Sequence, residues 1–282
     1  MKRAISLFIV MLAVGMADQP PAVWSAESQS VWRERESQGS GIVPDDIQEE
    51  ISFGREVAAR ILGRYGLFEN SDANRYVNLV GRSVVQNVGR PEIEFRFSIL
   101  KTDEINAYAA PGGYVFVTRG ALLRMQDESE LAAVLAHELA HVSLRHIVKE
   151  LNIHATDTSP TSGLAKMIGG STEAARAAFT QLTEGALNIL FTTGYKRADE
   201  IQADKTGLMY TALSGYDPRA LGRYLDRISS AKVAASQVLD KTHPSYSERI
   251  AWLNATIEEQ EMVASPARAP KERFAELGKN LK

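Results

Sequence analysis

Apolar residues recur at the spacing of an α-helix over most of this chain, interrupted by two short stretches with a strand pattern. The helical spacing predicts helices over residues 45–65 and 71–88, and the alternation over residues 94–100 predicts a strand. A second strand is predicted over residues 114–118, where aromatic and β-branched residues follow the turn sequence Pro-Gly-Gly. The pattern therefore predicts an α+β fold that is predominantly helical and has a small sheet.

Four more helices are predicted after the second strand. They cover residues 129–151, 171–213, 217–228 and 245–260. Between the first two, residues 154–175 are rich in Ser, Thr, Gly and small apolar residues, which is typical of a mobile lid or of an ordinary surface loop. No internal repeat is evident, so we expect one domain with a single core over residues 42–261.

The start of the chain has the pattern of an export signal. A Lys-Arg pair precedes a short uncharged apolar run, and Gly15-Met16-Ala17 fits the small-x-small cleavage rule, with Ser25-Ala26 as a weaker alternative. We expect a signal peptide over residues 1–17, or up to residue 26, and a periplasmic protein of a Gram-negative cell. An uncleaved anchor is the alternative, although the run is short of the ~20 apolar residues that span a bilayer.

Composition excludes several classes of protein. The chain has no Cys, which excludes disulfides, thiol catalysis and a lipid-modified N-terminal Cys, so we do not expect a lipoprotein. Its net charge of -3 gives no basic surface for nucleic acid, and no later apolar run is long enough for a membrane span, so the processed protein is expected to be soluble.

The two ends of the expected domain differ from it in composition. The polar composition of residues 18–41 predicts a flexible leader, and the prolines and charged residues within residues 262–282 predict a loosely ordered tail.

Two imidazoles lie four residues apart in the predicted helix 129–151, in the sequence His-Glu-Leu-Ala-His that begins at His137. This spacing places His137 and His141 on one helical face, where both can bind a single metal ion. Glu138 projects from the neighbouring flank, so it is suited to take a proton from a water molecule held by that ion. The pattern is typical of zinc hydrolases and predicts one Zn²⁺ per chain.

A catalytic zinc needs a third protein ligand from elsewhere and an open fourth position. In the predicted helix 171–213, Glu200 and Asp204 lie four residues apart and share a face. Glu200 could complete a site of two His and one Glu. Asp204 could accept the free N–H of a ligating His and so fix its tautomer.

Four blocks, in their order along the chain, resemble metallopeptidase family forty-eight, a family of gluzincin zinc proteases. They are the segment 106–120, His-Glu-Leu-Ala-His at 137–141, Glu-x-x-Ala-Asp at 200–204, and the His-Pro segment 242–249. With their surroundings they cover roughly residues 45–258, and the likeness is greatest to soluble periplasmic members without a helical-repeat extension. The resemblance implies a zincin-like core with a small sheet whose edge strand lines the cleft.

The resemblance also implies further site residues. The cleft strand, which in gluzincins pairs with an extended peptide, would contribute Gly113, Tyr114, Val115 and Phe116. His243 would lie near the metal, where it could either stabilise the oxyanion or occupy the open coordination position and keep the enzyme latent. Arg249 could anchor the His243 segment or assist the oxyanion.

The two remaining imidazoles receive no catalytic role. His146 follows His141 by five residues, so on a continuous helix it points away from the face of the ligand pair. We expect it to be solvated near the helix C-terminus, where a positive charge is favourable. His154 lies among polar residues.

These patterns predict a zinc-dependent endopeptidase of the bacterial cell envelope. The resemblance implies unfolded, damaged or misassembled envelope proteins as substrates, outer-membrane proteins among them. The alternative is a chaperone-like module that holds unfolded proteins with little cleavage, against which Glu138 argues because a structural zinc needs no base. A zinc hydrolase of non-peptide amides is disfavoured by a cleft strand that suits an extended peptide.

Overall fold

The structure is a computed structural model, and it describes residues 44–153, 173–231, 237–262 and 271–281. The predicted signal peptide and leader, His154 and most of the predicted lid lie outside the described residues.

Within these ranges the chain forms eleven α-helices and one three-stranded sheet, as the sequence pattern predicted in outline. The helices are α1 (Pro44–Tyr65), α2 (Ser71–Val85), α3 (Arg119–Leu122), α4 (Glu128–Ser143), α5 (His146–Glu150), α6 (Glu173–Asn188), α7 (Arg197–Leu213), α8 (Ala220–Ala231), α9 (Gln237–Thr242), α10 (Tyr246–Glu259) and α11 (Lys271–Asn280). The strands are β1 (Arg96–Leu100), β2 (Ala107–Ala110) and β3 (Tyr114–Thr118). The prediction of a predominantly helical α+β fold is confirmed.

The sheet has the strand order β1-β3-β2, with β3 parallel to β1 and antiparallel to β2. The prediction that Tyr114–Thr118 offers a free edge is therefore wrong, because β3 has a hydrogen-bonded neighbour on each side. The edge strand that packs on α4 is instead β2, whose sequence Ala-Tyr-Ala-Ala has no β-branched residue and gave no strand signal.

Helix α4 is the centre of the fold. Asp127 begins it by accepting a hydrogen bond from the backbone N–H of Glu130, as an N-cap residue does. Its side chains are buried on all sides from Glu128 to Val142, so both faces of the helix lie in the protein interior. Helix α7 packs closely along it, and α2, α8 and β2 surround the pair.

Two predicted helices are each divided into separate parts. The helix predicted over residues 171–213 is interrupted by a π-helical turn at Ile189–Thr193 and by Gly194, whose φ of 72° ends the first part. The helix predicted over residues 129–151 ends at Ser143, and α5 begins after Arg145, which has a left-handed φ of 57°. Both breaks change which side chains face the predicted metal ligands.

The end of the chain is more ordered than expected. Residues 271–280 form α11, and Phe274, Leu277 and Leu281 are buried in the same core as α2 and α4. Arg273 binds both carboxylate oxygens of Glu128, in the first turn of α4, at 2.7 and 2.8 Å. The expectation of a loosely ordered tail is wrong for this segment, because its apolar residues recur at helical spacing and have a core to pack against.

In the described ranges, none of the helices combines the length and the apolar character that crossing a bilayer would require.

Candidate metal centre

Helices α4 and α7 bring together three side chains that the sequence predicted to share a metal ion. The Nε2 atoms of His137 and His141 lie 3.2 Å apart. The Glu200 carboxylate faces them, with Oε2 3.8 Å from His137 Nε2 and Oε1 3.6 Å from His141 Nε2. All three side chains are buried.

Glu200 is the strongest sign that this cluster is built for a cation. Neither of its carboxylate oxygens has a hydrogen-bond partner among the described residues, although the side chain is fully buried. Burial raises the pKa of Glu200 well above its usual range, because nothing at hand solvates the charged form. A divalent cation between Glu200 and the two imidazoles would supply the missing partner, so the donor set fits a metal ion.

His243 approaches the same point from outside α4 and α7. Its Nε2 lies 3.9 Å from Glu200 Oε1, and the ligand atoms of His137, Glu200 and His243 all lie within 4.8 Å of one another. The other ring nitrogen, Nδ1, lies 3.0 Å from the Thr242 hydroxyl and 3.3 Å from the Leu239 carbonyl oxygen. Because Nδ1 is held in this way, Nε2 is the atom turned towards the cluster.

Asp204 supports His137 as expected. Its Oδ1 lies 3.0 Å from His137 Nδ1, so the carboxylate can accept the ring N–H that leaves Nε2 free for a metal. Arg249 of α10 donates to both oxygens of Asp204, at 2.6 and 3.0 Å. Burial alone would raise the pKa of Asp204, but the charge and hydrogen bonds of Arg249 and the His137 ring outweigh burial and hold that pKa far below its usual range. Asp204 is therefore ionised and fixed in place.

His146 is not solvated, and the prediction for it is wrong. It is buried, and its Nδ1 lies 2.9 Å from Nδ1 of His141. Its Nε2 lies 3.4 Å from Oε1 of Gln202. The prediction assumed a continuous helix, whereas the left-handed turn at Arg145 folds His146 back towards His141.

Tyr195 is a second neighbour of His141 that the sequence analysis missed. The two rings stack with centroids 3.9 Å apart and planes 22° apart. Burial raises the pKa of Tyr195 well above its usual range, so its hydroxyl is neutral. The only signal in the sequence was Gly194, whose helix-ending tendency marks a chain reversal just before Glu200.

Glu138 faces a narrow cavity between β2 and the His243 segment. The cavity is lined by Ala107, Tyr108, His141 and His243 as well as by Glu138. Burial raises the pKa of Glu138 to about 8. A cation bound nearby would lower that pKa and favour the carboxylate form that a general base requires.

Comparison with known sequences identifies the family to which this arrangement corresponds. The family model described as peptidase family M48 matches residues 71–257, from the start of α2 to near the end of α10. The chain belongs to peptidase family M48. The resemblance inferred from the four sequence blocks is thus confirmed.

Individual M48 relatives are similar over much of this chain. It is 29% identical over 212 residues to the beta-barrel assembly-enhancing protease of Escherichia coli strain K12, covering 73% of this chain and 43% of that protein. It is 30% identical over 177 residues to the mitochondrial metalloendopeptidase OMA1 of Schizosaccharomyces pombe, covering 62% and 50%. The metalloprotease YcaL of Escherichia coli strain K12 is 24% identical over 200 residues, covering 71% and 72%. The chain therefore spans less than half the length of the assembly-enhancing relative.

The structure brings together most of the site residues that the sequence analysis proposed. Those that converge are His137, Glu138, His141, Glu200, Asp204, His243 and Arg249. The proposed substrate strand Gly113–Phe116 does not join them, because β2 lies between β3 and the cleft.

Proposed function

We propose that this M48 chain is a zinc-dependent endopeptidase, with His137, His141 and Glu200 as zinc ligands and Glu138 as general base. The observation that carries the proposal is the buried Glu200 carboxylate, which has no hydrogen-bond partner in the described part of the chain and lies within 3.8 Å of both imidazole Nε2 atoms. Zinc is the metal that this donor set of two His and one Glu favours.

Each group of side chains has a separate role in peptide hydrolysis. A zinc ion held by His137, His141 and Glu200 would supply Lewis-acid polarisation of the peptide carbonyl and would lower the pKa of a water molecule towards about 7. Glu138 takes the proton of the attacking water and returns it to the leaving amine. Asp204 and Arg249 keep His137 in the tautomer that binds the ion.

We place the substrate on β2 rather than on β3. In the described sheet β2 is hydrogen-bonded to β3 on one side, and Ala107 and Tyr108 line the cavity that also holds Glu138. All four residues of β2 are buried, so the His243 segment would have to move before an extended peptide could add to this edge and bring its carbonyl groups past Glu138. The main-chain pairing would then give affinity with little sequence preference. A preference for unfolded protein follows, since most backbone groups of a folded chain are already hydrogen-bonded within it.

For His243 we favour the latent role over the oxyanion role. The position of its Nε2, 3.9 Å from Glu200 Oε1, suits a fourth ligand in the place where water must enter. Arg249 is engaged by Asp204 through two hydrogen bonds, which supports an anchoring role for it. His243→Ala should raise the rate of proteolysis at unchanged zinc content. A fall in rate would favour the oxyanion role instead.

We further propose that the substrates are misfolded or misassembled proteins of the bacterial envelope, and that the chain acts in the periplasm. The support is the export-signal pattern at the N-terminus and the likeness to a protease named for beta-barrel assembly. Identification of proteins trapped by an inactive Glu138→Gln variant in the native cell tests this part.

The central test is proteolysis of denatured casein by the parent protein and by Glu138→Gln. The parent should produce fragments, and 1,10-phenanthroline should stop it. Glu138→Gln should keep stoichiometric zinc and lose activity by a factor on the order of 10²–10⁴, the contribution typical of a general base.

The matched control is Glu94→Gln, which alters a highly exposed carboxylate next to β1 by the same chemical change. It should cleave as the parent does. If Glu138→Gln cleaved as fast as the parent, the assigned base would be wrong. If the parent and His243→Ala both bound casein without producing chelator-sensitive fragments, the chain would be a binding module rather than an enzyme.

A further inference from the structure

We propose that His146 is a positioning residue that fixes the tautomer and orientation of His141. The inference rests on the proposed function, since it concerns a residue behind a proposed zinc ligand. It goes beyond that function by giving a role to an imidazole outside the His-Glu-Leu-Ala-His sequence.

The contact between the two rings requires them to share one proton. Their Nδ1 atoms lie 2.9 Å apart, which is a hydrogen-bond distance, and the ring planes are inclined at 76°. His141 presents Nε2 to His137 and to Glu200, so Nε2 must be the unprotonated, metal-binding atom. The proton of the neutral His141 ring therefore lies on Nδ1, and His146 Nδ1 accepts it.

The acceptor role of His146 fixes its own tautomer in turn. With Nδ1 accepting, its proton lies on Nε2, which faces Gln202 Oε1 at 3.4 Å. Gln202 belongs to α7, the helix that also carries Glu200. The chain of contacts thus runs from Gln202, on the same helix as Glu200, through His146 to His141.

The backbone around His146 holds it in this position. Arg145 adopts its left-handed conformation with its side chain donating to the buried Glu50 carboxylate at 2.9 Å, and Arg90 binds the same carboxylate at 3.1 Å. Because Glu50 belongs to α1, these ion pairs fix the turn against α1 and keep His146 in contact with His141. Tyr195 stacks on the face of the His141 ring, so the ring is held at its edge and at its face.

An imidazole suits this place better than the carboxylate that commonly supports a metal-binding His. The buried centre already holds Glu138, Glu200 and Asp204, balanced by Arg249 and, in the proposed enzyme, by one divalent cation. These charges sum to zero when all three carboxylates are ionised. A neutral acceptor at position 146 orients His141 without adding an uncompensated buried charge.

The test compares His146→Leu, which removes the acceptor, with His146→Asn, whose side-chain oxygen can take the place of Nδ1. Zinc affinity is measured by competition with a chromophoric chelator. His146→Leu should weaken zinc binding by about 10–100-fold, the usual cost of losing a partner of a ligating His, and His146→Asn should restore most of it. Equal affinity in all three proteins, or equal loss in both variants, would overturn the proposal.

Two further measurements separate positioning from stability and from the proposed function. Ile153→Ala, a buried change near the end of α5, should lower the urea midpoint but leave zinc affinity unchanged. Long-range proton–nitrogen NMR of the parent should show His141 protonated at Nδ1, and protonation at Nε2 would contradict the proposal without any variant. A parent that binds no zinc would defeat the proposed function too, whereas normal zinc binding by a folded His146→Leu would defeat this inference alone.

Discussion

The floor and the rim of the candidate metal centre are built in different ways. The floor, formed by α4 and α7, carries His137, His141 and Glu200 on two long helices that pack along each other. The rim, formed by residues 189–196 and 237–243, carries Tyr195 and His243 on short segments that meet near their ends. We infer that metal binding depends on the floor and access to the metal on the rim.

On each side, two backbone segments come so close together at one glycine that a Cβ atom would clash with the opposite backbone. On the floor, a Cβ at Gly207 would lie 2.8 Å from the backbone of His137. On the rim, a Cβ at Gly194 would lie 1.9 Å from the Thr242 carbonyl oxygen. The same substitution at the two positions therefore tests the two sides separately.

The largest effect is expected from Asp204→Ala on the floor. It leaves the buried Arg249 guanidinium without its partner and His137 without its acceptor. The free energy of unfolding of the chelator-treated protein should fall by about 3–5 kcal/mol, with loss of zinc binding, as measured by urea unfolding and metal analysis. A variant with parental stability would show that this pair does not hold the floor together.

Gly207→Ala should come next. The added methyl group cannot be accommodated against the His137 backbone without moving α7 away from α4. We expect the free energy of unfolding to fall by about 1–3 kcal/mol, as in other overpacked cores, together with weaker zinc binding. Zinc affinity equal to that of the parent would mean that the helix spacing does not set the ligand geometry.

Gly194→Ala should act on the rim. Its φ of 72° and ψ of 179° are unfavourable for alanine, and the Thr242 carbonyl leaves no room for the methyl group. The two rim segments should separate, so casein cleavage should rise while the protein keeps one zinc per chain, as measured by initial rates and metal analysis. Loss of the zinc from this variant would contradict the division into floor and rim.

Gly63→Ala gives the smallest expected effect and serves as the matched control. Gly63 lies in α1, and a Cβ there would meet no atom within 4 Å. Alanine in a helix should raise the free energy of unfolding by about 0.5–1 kcal/mol, with activity and zinc affinity unchanged. A change in either would show that such substitutions act on the site from a distance.

The floor was predictable from the sequence because it obeys helical periodicity. His137 with His141, and Glu200 with Asp204, are pairs four residues apart, and each pair does lie on one helical face. The family resemblance then indicated that these two faces belong to one site. Nothing beyond local spacing and that resemblance was required.

The rim, the His146 contact, β2 and α11 were not predictable, because they depend on where helices end and on how the segments pack. Left-handed backbone is usually indicated by glycine, but here it occurs at Arg145. The predicted helix 129–151 therefore continues past His146 and places that ring away from His141. The edge strand β2 lacks β-branched residues, and α11 directly follows a segment with two prolines, Pro266 and Pro270, which predicts irregular structure. In each case tertiary packing selects a conformation that local preference leaves undecided.

The left-handed turn at Arg145 has a consequence for anyone who would transplant this motif into a designed scaffold. A graft of residues 128–150 would carry His141 together with its acceptor His146, and would require host groups in place of Glu50, Gln202 and Tyr195. His137 would arrive without its acceptor, because Asp204 and Arg249 come from elsewhere in the chain. One of the two proposed histidine ligands would thus keep its direct hydrogen-bond partner in a new scaffold, and the other would lose it.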